Sequence, residues 1–62
     1  MDDGPLWLRP HQVADRLNIG ISTVYGLIQS GALEAHRFGG KRGLRVHRDT
    51  LAAYVEQTKV SA

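Results

Sequence analysis

A chain of 62 residues with no cysteine and a formal net charge of +2 makes one domain with a modest core, and disulfide or thiolate staples are closed to it. A deep catalytic pocket is difficult to build at this size. No apolar run approaches the roughly 20 residues of a membrane span, and the acidic opening Met1-Asp2-Asp3-Gly4-Pro5 is unlike a signal peptide, so a soluble, cytoplasmic protein with no membrane partner is expected.

Residues 1–5 are expected to be disordered, with the folded domain over 6–56 and a frayed tail over 57–62. Leu6, Trp7 and Leu8 read as a short extended segment that closes the core from one side, Trp7 serving as an anchor rather than a base-stacking platform. A first helix is predicted from Pro10, whose fixed φ suits the first helical position. Val13, Ala14 and Leu17 form its apolar face, while Asp15 and Arg16 turn to water. Arg9 stands where a capping Ser, Thr or Asp belongs, so a side-chain oxygen is missing there. Asn18 tolerates the left-handed conformation that ends helices, Ile19 plugs the turn, and Gly20 is the N-cap of the next helix.

That second helix is predicted from about Ile21 to Gln29, with Ser30-Gly31 stopping it. Val24, Leu27 and Ile28 form its inward stripe, and Ser22, Thr23, Tyr25, Gly26 and Gln29 lie on the other side. Neither helix is long enough to be stable alone. Two such helices joined by the three residues Asn18-Ile19-Gly20 read as a helix-turn-helix unit.

A hairpin follows, with Glu34–Phe38 and Leu44–Val46 flanking the loop Gly39-Gly40-Lys41-Arg42-Gly43. Pairing Phe38 with Leu44 sets His36 opposite Val46 and Arg37 opposite Arg45. Phe38, Leu44, His36 and Val46 then share one face and the two arginines the other. Like charges directly across a strand pair repel, so this register makes sense with a phosphate between them. Between His36 and Arg48 stand five basic residues (Arg37, Lys41, Arg42, Arg45, Arg48) and no acidic one, whereas the rest of the chain has three basic and six acidic. So polarised a distribution is the footprint of a polyanion partner. A third helix is predicted from near His47-Arg48-Asp49, carrying Leu51, Tyr54 and Val55 inward, with Asp49 complementing the helix dipole.

Three stretches carry a resemblance. Leu8-Arg9-Pro10-His11-Gln12-Val13-Ala14-Asp15-Arg16-Leu17 resembles the opening of excisionase-type DNA-binding domains. Ile21-Ser22-Thr23-Val24-Tyr25-Gly26-Leu27-Ile28-Gln29-Ser30-Gly31-Ala32-Leu33 resembles their recognition helix and its exit, and Arg45-Val46-His47-Arg48-Asp49-Thr50-Leu51-Ala52-Ala53-Tyr54-Val55 their closing helix. The similarity spans about residues 6–56 and extends to the DNA-binding domains of mercury-resistance-type regulators. It implies a mostly α fold with a small β-hairpin, the winged helix-turn-helix: extended segment, helix, helix, hairpin wing, helix. It also implies that the second helix enters the major groove of double-stranded DNA and the basic loop acts as a wing toward the minor groove.

Two jobs follow from the resemblance. One is an excisionase, a recombination directionality factor of a bacterial, phage or plasmid element that bends DNA, associates with itself on neighbouring sites and directs a tyrosine or serine integrase toward excision. The other is a small transcription regulator, and the fold does not choose between them. No dimerisation helix is read after Tyr54, which favours the first. A protein-interaction module for an acidic partner is the reading from another class. Two positions depart from the family pattern: Gly26 stands where a basic or larger polar residue is usual, and Gly20 replaces a hydroxyl cap.

Candidate contacts divide between the two halves. On the second helix, Ser22 and Thr23 project where groove-reading side chains sit, or cap the helix locally. Ile21 meets a thymine methyl or is buried. Tyr25 reaches a phosphate or packs on the hairpin, and Gln29 reads adenine or touches backbone. In the wing, Lys41 and Arg42 suit a narrow minor groove, Arg37 and Arg45 suit phosphate clamping, and Arg48 suits a phosphate at a helix start. His11 touches a phosphate or is plain surface. No catalytic group, cofactor or metal site is read: the histidines are widely spaced, and no nucleophile, base and orienting group occur together.

Overall fold

The computed structural model describes residues 5–40 and 43–60. In chain order these form β1 (Trp7–Leu8), α1 (Pro10–Leu17), α2 (Ile21–Ser30), β2 (His36–Arg37), β3 (Leu44–His47) and α3 (Arg48–Gln57). Three helices and a small antiparallel sheet in the order β1-β3-β2 make the mostly helical, winged helix-turn-helix arrangement expected. Residues 1–4, 41–42 and 61–62, and with them most of the expected disordered start and the tip of the wing, lie outside the described residues.

The turn between α1 and α2 works as its residues dictate. Asn18 adopts φ 57°, ψ 45°, a left-handed conformation that asparagine enters more easily than most residues. This brings the Ile19 N–H to the Ala14 carbonyl at 3.0 Å, satisfying a carbonyl at the end of α1. Ile19 packs against the core. Gly20 is the N-cap of α2, its carbonyl accepting from Thr23 (3.1 Å) and Val24 (3.2 Å). At the other end Gly31, at φ 84°, is the residue type that takes this conformation at least cost. The start of α1 is better satisfied than Arg9 suggests, because the Gln12 side chain reaches back and accepts from the Arg9 N–H at 2.8 Å. That is half of a capping box, supplied from inside the helix.

The core is Leu8, Val13, Ala14, Val24, Leu33, Val46 and Leu51, one or two residues from almost every element. Val13 and Val24 are fully buried where α1 meets α2, and Val46 is fully buried in the central strand. Leu17, Leu27, Ile28, Ala35 and Tyr54 close around them. Leu33, only 1% exposed, joins this core from the link between α2 and β2. Two apolar residues expected inside are not: Leu6 is 48% and Val55 43% exposed. Leu8 alone of its segment enters the core: strand alternation turns Trp7 to the other face, and Leu6 lies before β1 begins. Val55 lies on a groove between α1 and α3, beside Leu17 and Arg16.

The hairpin register differs from the expected one by a single residue. His36 pairs with Arg45 and Arg37 with Leu44, so the expected partners, His36 with Val46, Arg37 with Arg45 and Phe38 with Leu44, do not meet. Gly43 is part of the ladder rather than the loop: the Phe38 N–H donates to its carbonyl at 2.8 Å. A Cβ on Gly43 would fall 1.5 Å from the Phe38 carbonyl oxygen. Only glycine permits that approach, and it shortens the loop by one position.

A slip of one residue exchanges the two faces of a strand. Leu44 and Val46 therefore point to the core side with Arg37 across from Leu44, while His36 and Phe38 fall on the outer side. Phe38 is 52% exposed and joins a cluster about Trp7, which meets His36, Phe38 and His47 edge-on with ring centroids 5.2, 4.9 and 4.7 Å away. Since Trp7 pairs with His47, the indole reaches across β3 and ties β1 to β2. Trp7 is thus an anchor, as expected, though on the outside of the sheet. Its partner His47 also caps α3, Nδ1 accepting from the Asp49 N–H at 3.1 Å.

Two substitutions test these assignments. Nothing lies within 4 Å of a Cβ placed on Gly26, so Gly26→Ala is expected to stabilise the fold by about 1 kcal/mol through helix propensity. For a domain of this size that raises Tm by roughly 4–8 °C, readable by circular dichroism. Gly43→Ala forces Phe38 away and is expected to cost roughly 1–3 kcal/mol. Urea titration followed by Trp7 fluorescence should show a lower midpoint together with an altered native spectrum, and an unchanged midpoint would refute the close approach.

Candidate nucleic-acid interface

The start of α1, the outer face of α2 and the β2–β3 hairpin surround an open concavity of about 470 Å³. Each contributes for a local reason. The Arg9-Pro10-His11 corner is held by Pro10, buried at the first position of α1. On α2, burial of Val24 leaves Ile21, Tyr25 and Gln29, at successive turns, looking outward into the concavity. From the hairpin come Leu44, Arg37 across from it, and Arg45.

Three guanidinium groups, Arg9, Arg37 and Arg45, therefore line one surface, with His11 beside them and no carboxylate among its lining residues. Arg45 springs from the opposite face of β3 to Leu44, but its guanidinium folds back and Nη1 donates to the Leu44 carbonyl at 3.0 Å. The corrected register keeps Arg37 and Arg45 from standing directly opposite one another, which removes the cross-strand repulsion the expected pairing carried. Both still line the same concavity. Guanidinium groups presented this way match the geometry of phosphate oxygens.

Of the residues singled out in the sequence, Ile21, Tyr25, Gln29, Arg37 and Arg45 come together here. Tyr25 looks onto the space between helix and hairpin and is 47% exposed; Ile21 is 43% exposed, which excludes its burial. Ser22 and Thr23 are exposed in the first turn of α2, outside the concavity lining. Arg48 is set apart: it opens α3, its N–H donates to the Leu6 carbonyl at 2.9 Å, and its side chain lines the groove between α1 and α3. Lys41 and Arg42 lie outside the described residues. Arg9 was missed from the sequence as a site residue, although its place one residue before a helix-opening Pro10 signals a basic group at a helix N-terminus. Among the described residues no group of three or more His, Cys, Asp or Glu side chains could hold a metal ion, and no helix is long and apolar enough to cross a membrane.

No curated protein matches the chain. A family model described as a helix-turn-helix domain matches residues 7–59, from Trp7 at the sheet edge to just beyond α3. Membership supports a sequence-specific DNA-binding function, with DNA as the partner. By the extent of that match, which takes in every helix and strand described above, the chain belongs to the helix-turn-helix domain family.

Proposed function

We propose that the protein binds double-stranded DNA mainly through its phosphates and acts as an excisionase-type recombination directionality factor, bending a site so that a tyrosine or serine integrase excises a mobile element. The observation that carries the DNA reading is the carboxylate-free concavity lined by Arg9, Arg37 and Arg45 and bounded by the outer face of α2. Phosphate contacts of this kind position a duplex without reading it. Lys41 and Arg42 add charge between the strands of the hairpin and suit a minor groove, and Arg48 adds a phosphate contact from the neighbouring groove. The protein then works in the cytoplasm as an architectural partner, with no catalytic step or cofactor of its own.

The excisionase reading is supported by the resemblance of all three helical stretches and by the balance of the surface. Cations are concentrated on the hairpin and the start of α1, while α2 carries none, a distribution suited to wrapping and bending DNA more than to reading a long site. One domain this small spans few base pairs, so neighbouring copies are expected to bind cooperatively.

Two measurements test the proposal. If Arg9, Arg37, Lys41, Arg42, Arg45 and Arg48 neutralise six phosphates, log affinity against log salt has a slope of roughly −5 to −6. Lys41→Ala or Arg42→Ala should each weaken binding to all duplexes alike and reduce that slope by about 1; a flat salt response sinks the phosphate-binding reading. The second measurement compares the end-to-end distance of a labelled duplex, by fluorescence energy transfer, with and without protein. Shortening is expected of an excisionase, whereas a straight duplex bound at a promoter identifies a transcription regulator instead.

A further inference from the structure

The recognition helix carries no charged side chain: Ile21-Ser22-Thr23-Val24-Tyr25-Gly26-Leu27-Ile28-Gln29-Ser30 contains no Lys, Arg, Asp or Glu. Direct reading of a G·C pair in the major groove relies above all on Arg or Lys to guanine O6 and N7, or on a carboxylate to cytosine N4. Helix α2 has neither. Toward the concavity it presents Gln29 and two exposed residues with large apolar surface. Ile21 and Tyr25, one turn apart, are 43% and 47% exposed and line the same concavity.

A lone exposed isoleucine is ordinary on a protein surface. Two exposed apolar side chains on one face, in a concavity whose charged lining is all cationic, require an occupant that is anionic at its edges and apolar in its middle. In a duplex, that combination is a thymine C5-methyl in the major groove flanked by backbone phosphates. Gln29, one turn beyond Tyr25 on the same concavity, has the amide that pairs with adenine N6 and N7. Gly26 lies on the exposed side of α2, and nothing stands within 4 Å of its Cβ position, which leaves the helix backbone open to close approach.

We propose that α2 reads thymine methyl groups through Ile21 and Tyr25, so that the preferred site carries A·T pairs beneath this helix. The inference rests on the DNA-binding reading and names what that surface selects. An acidic amphipathic polypeptide is the other occupant with matching chemistry, and its case is an outcome of the test.

The experiment uses the intact chain and the duplex it selects from a random pool. Each thymine of that duplex is replaced singly by deoxyuridine, which keeps the base pair and removes only the methyl. At one or two positions the affinity should fall about fourfold per methyl, the effect of exposing one CH₂-sized apolar group. Ile21→Ala, checked for folding by circular dichroism, should bind the thymine and uracil duplexes alike at one of those positions. There, replacing the T·A pair by C·G should weaken binding, and 5-methylcytosine should restore part of the loss. A winning duplex without thymine, or one in which no uracil replacement changes affinity, overturns the methyl reading while leaving DNA binding intact. Failure to retain any duplex overturns the DNA reading and this inference with it.

Discussion

The contact on which the arrangement of the interface depends is the approach of Gly43 to the Phe38 carbonyl. Because glycine lacks a Cβ, the chain passes within a distance no other residue permits, and the ladder takes in Gly43 before the loop begins. The register that results places Leu44 and Val46 on the core side of β3 and pairs Arg37 with Leu44. Arg37 is thereby turned toward α2. With the alternative register the hairpin would present its faces the other way round, and Phe38 rather than Arg37 would lie toward the helix.

A second consequence falls on the outer side of the sheet. Phe38 and His36, excluded from the core side, gather with His47 around Trp7. A sheet with strands this short has few ladder hydrogen bonds, and the indole joins its two edges across the central strand. Edge-on aromatic pairs are worth about 0.5–1.5 kcal/mol each beyond area burial, a substantial share in a domain whose expected total is roughly 0.05–0.15 kcal/mol per residue. Stability and binding geometry are thus coupled: what holds β1 and β2 to β3 also holds the arginine-bearing hairpin against the helices.

The interface divides its labour along the same lines. The corner at Arg9 and the hairpin hold the cations, and α2, pinned by the wholly buried Val24, holds the apolar and amide groups. Charge placed on the flanks is suited to phosphates, which carry no sequence information. The uncharged helix between them has no Arg or Lys for guanine and no carboxylate for cytosine, which is the basis for the proposed methyl contact and amide pairing.

Local chemistry was enough to determine the helices, the turn between the first two, and the inventory of charge. Pro10, Asn18 and Gly31 act through their own backbone preferences, so the helix-turn-helix was legible one residue at a time, as were Tyr25 and Gln29 on its outer face, whereas Ile21 was left between burial and exposure. The hairpin register was not legible, because it turns on whether two backbone segments can touch, and symmetry about the loop favoured the wrong pairing by one residue. Nor were Leu33 in the core, Val55 outside it, and Arg9 beside Arg37 and Arg45. Those placements depend on which elements meet, and contact between residues distant in the chain is set by packing that no local propensity encodes.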